Sequence, residues 1–381
     1  MRNDVWDEFW WNNITGAHAV VSEVATALLS NRNVILRVPS DLPWRYSMRS
    51  SIYSVFREKT DSREVVIDPI DVKDDNPDQL SPGLFILNRY ASSQVSKGYR
   101  EKSKISIQDY LAQKKVIRNR VIWVKGLSSD VTNEWIKFCK GFSPQTVTEG
   151  LFVVEVHEDQ VVNESKYLKC VDYESHVSKY DVQLLNSIIL DKNDDYSDKW
   201  KTYIASATAS LCDIDAEVSE FVLQNTDFYI ESPIEGVKKA SLFPALELRG
   251  RETTNHVLWY VRENKDAELE HRLWSAQVTV LFPIIELKRI SLIQEWYAQV
   301  ENVLQKHEVW QYNNLLKDPM EVELGTLHYL ISHRDENGLY LLYIPEEQER
   351  DTIHFLHECR NLLAHASCCS PVQIKKLLES V

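Results

Sequence analysis

The stretch "HECRNLLAH", residues 357–365, places an arginine five positions before a histidine. A guanidinium is suited to gripping a phosphate through paired hydrogen bonds, and an imidazole titrates close enough to neutrality to move a proton. On a helix of 3.6 residues per turn, His357, Asn361 and His365 repeat at i, i+4 and i+8 and share one stripe, with His354 three residues before them. Arg360 lies about 100° to one side of Asn361. Ile353, Leu356, Cys359 and Leu363 occupy other positions and are expected to face a core. Such a stripe suits a cleft between helices. It equally suits helix-surface residues that pack against, or hydrogen-bond to, a neighbouring helix. Both readings stay open on the residues alone.

Other clusters are weaker. Asp191, Asn193 and Asp195 alternate as in a calcium loop, but Tyr196 stands where that loop needs glycine and Thr202 where it needs a bidentate acid. Asp213, Asp215 and Glu217 in "CDIDAE" alternate within a stretch read as helix, where they would diverge. His354, His357, Cys359, His365, Cys368 and Cys369 offer atoms that zinc accepts, at a spacing that fits no zinc finger. H-E-x-x-H, G-x-S-x-G and C-x-x-C are all absent. We therefore expect no metal and no cofactor.

These residues must be carried by secondary structure, and the pattern changes along the chain. Apolar positions at helical spacing over 14–30 lead into the short run "NVILRVP" (33–39), a buried strand ending at proline. The segment "RYSMRSSIYSVFRE" follows as a helix, and "EVVIDPI" (64–70), "RVIWVKGL" (120–127) and "GLFVVEVHE" supply three more strands. Between the last two, "SDVTNEWIKFCKGF" is a helix with Asp130 expected as N-cap and Gly141 near its stop. Strands alternating with helices predict an α/β domain with a mostly parallel sheet, which we place at residues 1–180. A helical linker or lid region is expected over 181–265 and a mainly α-helical domain over 266–381. In the latter, "GLYLLYIP" (338–345) reads as one further strand.

Strand, loop and helix at 33–58 stand where a P-loop protein keeps its phosphate cradle, and the order of later elements resembles an AAA-like or STAND-type NTPase domain. Only ten glycines occur in 381 residues, the closest two nine apart, so neither G-x-G-x-x-G nor G-x-x-x-x-G-K can be written anywhere in the chain. Aligned on that loop, the motif glycines fall on Pro39 and Trp44, the lysine on Arg45 and the metal-binding hydroxyl residue on Tyr46. Proline has no N–H for a phosphate, and tryptophan denies close backbone approach. The strand that should end in a metal-binding acid runs into Val124, Lys125 and Gly126 instead. The resemblance is to a degenerate P-loop-like domain, and ATP hydrolysis is not expected.

Net charge is −14, from 43 Lys and Arg against 57 Asp and Glu, which argues against an extended DNA-binding surface. Acids interrupt the N-terminal "MRNDVWDEFWWNN", and no window reaches ~18 uninterrupted apolar residues, so we expect a cytoplasmic protein without membrane contact. The six cysteines are scattered and read as reduced thiols.

Arg360-Asn361-Leu362-Leu363-Ala364-His365 resembles the R-x4-6-H motif of the HEPN superfamily, including the polar residue directly after the arginine. That resemblance implies a helical bundle that commonly dimerises, with active members acting as metal-independent RNases whose arginine and histidine from two protomers face one composite cleft. It implies that Arg360 would hold the scissile phosphate, His365 would transfer a proton, and Asn361 would orient the group, with His357 on the same stripe. Many domains with this motif are non-catalytic interaction modules. The leading expectation is a non-hydrolysing, P-loop-like regulatory or interaction protein with a HEPN-like C-terminal domain, resembling stress or phage-defence components, with a protein partner or a homodimer formed through the C-terminal helices. The alternative is an endoribonuclease using Arg360 and His365, with RNA as substrate.

Overall fold

A computed structural model of the chain describes residues 5–59, 64–76, 79–100 and 104–379. It falls into two compact units, residues 1–185 with 214–217, and residues 186–213 with 218–381.

The first unit is built on a five-stranded, wholly parallel sheet in the order β2-β3-β4-β1-β5. Its strands are β1 (Asn33–Val38), β2 (Val66–Asp71), β3 (Arg120–Lys125), β4 (Leu151–His157) and β5 (Leu168–Asp172). The main helices are α1 (Val5–Asn13), α2 (Thr15–Leu29), α3 (Arg45–Glu58), α4 (Pro82–Tyr90), α5 (Ile107–Gln113) and α6 (Ser129–Gly141). The central strands read as unbroken apolar runs because both of their faces are covered. Ile35, Ile122, Val124, Phe152 and Val154 pack with Trp135, Phe138 and Phe142 of α6 and the residue after it. By the two-residue period of a strand, Leu36, Trp123, Val153 and Glu155 point to the opposite face, where α3 lies.

The edges differ from the centre. β2 tolerates Pro69 because an edge strand has one side free of ladder bonds. β5, at the other edge, is a strand that the hydropathy pattern does not announce: "LKCVD" has only Leu168 and Val171 buried. It forms because β1 offers an unfilled side, pairing Asn33 with Leu168 through Arg37 with Asp172. The N-terminus of α6 also departs from expectation. Ser128 holds the cap position, and Asp130 sits inside the first turn, where its charge still favours the positive end of the helix.

The second unit is helical. Its principal elements here are α7 (Asp198–Cys212), α8 (Ala216–Asn225, whose first two residues belong to the first unit), α9 (Asp266–Glu295), α10 (Tyr297–Lys306), α11 (Leu324–Ser332), α12 (Glu347–Ala364) and α13 (Pro371–Glu379). Helix α9 is the axis against which α7, α12 and α13 pack. The stretch read as one helix across "CDIDAE" is broken: Asp213 takes a left-handed φ of 54°, and the buried Asp215 accepts the Glu217 N–H at 3.1 Å. Asp and Asn compete for the backbone in this way and therefore end helices.

"GLYLLYIP" is not a strand. Leu342 and Ile344 are buried and Leu339 and Tyr343 exposed, so the alternation is real, but among the described residues no strand lies alongside. Its backbone N–H groups go instead to the end of α11, from Leu341 to His333 and from Leu342 to Leu330, leaving one isolated bridge between Arg334 and Tyr340. A two-residue-per-strand hairpin, β6 (Trp310–Gln311) and β7 (Asn314–Leu315), turns through Tyr312 and Asn313, both at positive φ. Among the described residues no helix is long and apolar enough to cross a membrane.

Candidate functional site

Helix α12 carries Glu347 and Glu349 in its first turn, where acids favour helix initiation. It closes with Ala366 in the left-handed region (φ 57°) and the Ser367 N–H bonded to the Leu362 carbonyl at 2.9 Å, the backbone pattern of a Schellman stop. Ile353, Leu356, Cys359 and Leu363 are buried as expected. That burial fixes the helix rotation and leaves His357, Arg360 and Asn361 half-exposed beside α11.

These three form a connected line. The Asn361 amide nitrogen lies 3.1 Å from Nε2 of His357, and an Arg360 guanidinium nitrogen lies 3.4 Å from the Asn361 amide oxygen. With the amide donating, the His357 Nε2 is the acceptor and the ring is neutral. The other Arg360 nitrogen approaches the Glu323 carboxylate at only 3.9 Å, and that carboxylate accepts the Tyr312 hydroxyl at 2.9 Å. Arg360 is thus steered by Glu323 but not tightly closed upon it, and it keeps 31% of its side chain exposed.

A third contributor comes from α11. The His328 ring stacks on His357 with centroids 4.1 Å apart and planes 16° from parallel, and meets His354 edge-on at 4.8 Å. Burial, then the Arg360 charge and His354, hold His357 below the ordinary imidazole value of 6.5. His328 is lowered too, first by burial and then by its histidine neighbours. Imidazole lone pairs lie in the ring plane, so two parallel rings do not aim them at one point. Among the described residues no group of three or more His, Cys, Asp or Glu side chains is placed to hold a metal ion.

His365 stands apart from this line. It occupies the C-cap of α12, exposed, with its backbone N–H bonded to Asn361 and Leu362. The i, i+4, i+8 stripe holds as far as Asn361, and the helix ends before the third member. His328 and Glu323 carry no signal in the sequence, because "ELGTLHYLIS" becomes part of the site only through the packing of α11 on α12.

In the first unit, the loop from β1 to α3 closes around a cation. Arg45 at the start of α3 pairs with Glu155 of β4 at 3.0 Å and also donates to the carbonyls of Pro39 and Ser40, each at 3.3 Å. The other oxygen of Glu155 accepts the Trp123 indole N–H at 2.6 Å. Phosphate binding needs N–H groups turned inward, whereas this loop turns carbonyls inward. Trp44 adopts the left-handed conformation that favours glycine (φ 44°, ψ 50°). Its N–H is held by Glu217 at 3.0 Å and its carbonyl by the Trp11 indole at 3.1 Å. Tyr46 points to solvent. At the end of β3, Lys125 is paired with Asp71 at 2.8 Å.

No protein-family model matches the chain, and comparison with curated proteins finds no match.

Proposed function

We propose that this chain is a non-hydrolysing, P-loop-like regulatory or interaction protein whose helical unit is HEPN-like, working with a protein partner or a second copy of itself in a stress or phage-defence setting. The observation that carries the first half is the Arg45–Glu155 pair, because in a P-loop-like chain a built-in cation and inward carbonyls would stand in for a phosphate and its N–H donors. The left-handed Trp44 supports descent from a glycine-bearing loop. Calorimetric titration with ATP and Mg²⁺, followed by a phosphate-release assay, tests it: neither heat nor turnover is expected, and tight binding with turnover would sink it.

A second reading, metal-independent RNA cleavage, is favoured by the hydrogen-bonded line from His357 through Asn361 to the half-exposed Arg360. Arg360 would bind the scissile phosphate and stabilise its developing charge. A neutral imidazole would take the proton of the 2′-hydroxyl as its oxygen bonds to phosphorus, and a second, protonated, imidazole would give one to the 5′-oxygen as the P–O5′ bond breaks. His357, kept neutral by its lowered pKa, would be the base once the Asn361 amide releases its Nε2, and His365, exposed at the helix end, is the group free to meet a substrate or a second protomer. Labelled RNA incubated in EDTA with the wild type, Arg360→Ala, His357→Ala and His365→Ala tests this reading. Cleavage lost in the variants supports it, and no cleavage of any RNA, with native partners present, removes it.

A further inference from the structure

Along α11 near the His357 line lies a groove of about 690 Å³ whose lining includes Lys306, His307, Glu308, Trp310, Gly325 and Tyr329. We propose that this groove seats an unpaired nucleobase of single-stranded RNA. The proposal rests on the second reading above for the nature of the ligand and adds to it the surface that would hold the strand.

The volume lies within the range of about 300–1,000 Å³ typical of small-ligand sites. Its walls are aromatic: Trp310 is 59% exposed, and Tyr329 is 48% exposed with one ring face stacked on His333 at 3.9 Å. Indole and phenol faces that soluble proteins ordinarily cover are suited to stacking on bases, whatever their sequence. The hairpin that carries Trp310 is also tied down. Gln311, next to it, accepts from the Thr326 hydroxyl at 2.7 Å and the Glu323 N–H at 3.1 Å, which ties the β6–β7 hairpin to the start of α11. A platform fixed before binding loses little freedom when a base arrives.

Gly325 connects groove and cluster. It lines the groove, and a Cβ built on it would stand 3.9 Å from Nε2 of His357. No side chain stands at this position between the groove and the imidazole. Electrostatics set the character of the complex. With only Lys306 on the rim, beside Glu308, and Arg360 at the cluster, facing Glu323, as the cations offered to phosphates among the described residues, the salt dependence should be shallow, a slope no steeper than about −1.4 in log K against log salt. Stacking, not charge, would dominate, as suits a chain of net charge −14.

The test is fluorescence anisotropy of the full chain with a labelled short oligoadenylate. Trp310→Ala should weaken binding about 5- to 100-fold, Trp310→Phe should restore most of it, and an abasic oligomer of equal length should bind as weakly as the alanine variant. Because the Trp310 side chain is largely exposed, its thermal transition should match the wild type. Wild-type affinity in both Trp310→Ala and Tyr329→Ala would overturn the proposal. So would Trp310-dependent capture of a short apolar peptide without RNA binding, which would make the groove a protein-docking site. RNA that is bound through Trp310 but never cut leaves the groove standing and removes the cleavage reading. RNA cut at wild-type rates by Trp310→Ala at subsaturating substrate does the reverse.

Discussion

The Arg45 guanidinium lies 3.0 Å from the carboxylate of Glu155, joining the first turn of α3 to the middle of β4 across 110 residues of sequence. Glu155 is almost wholly buried while Arg45 is a third exposed. The asymmetry means that the carboxylate depends on the arginine far more than the reverse. A buried carboxylate in a parallel sheet persists only if its oxygens are satisfied, and here Trp123 satisfies one and Arg45 the other.

Glu155→Ala is therefore expected to destabilise the first unit by about 3 kcal/mol, below the upper range for breaking a fully buried pair because Arg45 can turn to water. Glu155→Gln keeps an acceptor for Trp123 and should lose only about 1–2 kcal/mol. Urea unfolding followed by tryptophan fluorescence measures both, and equal losses would show that the Trp123 bond contributes nothing.

The stacked His328 and His357 should make stability depend on pH. Both have folded pKa values below 6.5. As pH falls through 6.5 the unfolded chain takes up protons that the folded chain does not, so stability is full above that value and declines below it. His328→Phe, which retains an aromatic ring against His357 but cannot protonate, should flatten this decline. Urea midpoints near neutrality and about one to two units lower provide the comparison. A wild-type midpoint unchanged on acidification would refute the histidine account.

Gln277 on α9 is fully buried and makes three bonds with two partners, donating to the Tyr203 hydroxyl at 3.1 Å and the Cys369 carbonyl at 3.0 Å while accepting the Cys369 N–H at 2.7 Å. It anchors the connection that follows α12. Gln277→Ala should cost about 2–4 kcal/mol through the orphaned backbone groups and the void. Amide exchange at Cys369 should accelerate more than exchange within α7. Uniform acceleration would argue against a local anchor.

Ala366 holds a left-handed conformation at the end of α12 where glycine is at ease. Ala366→Gly should raise stability by about 0.5–1 kcal/mol. A lowered thermal midpoint would mean that the alanine methyl makes a contact worth more than the backbone strain.

Local pattern determined much of this protein. The continuous apolar runs at β1, β3 and β4 announced a buried parallel sheet, and the scarcity of glycine removed the glycine-based phosphate loops without any structure. The buried positions Ile353, Leu356, Cys359 and Leu363 could be assigned from helical spacing because rotation about a helix axis is a local property. Tertiary structure decided what local pattern cannot hold. β5 exists because β1 had a free side; "GLYLLYIP" is irregular because no strand came to meet it; His365 leaves the His357–Asn361 stripe because the helix stops at Ala364. The partners that define both candidate sites, Glu155 for Arg45 and His328 for His357, lie 110 and 29 residues away along the chain. Propensity and periodicity act over a turn or a strand, whereas a charge or a ring finds its partner only when separate elements pack.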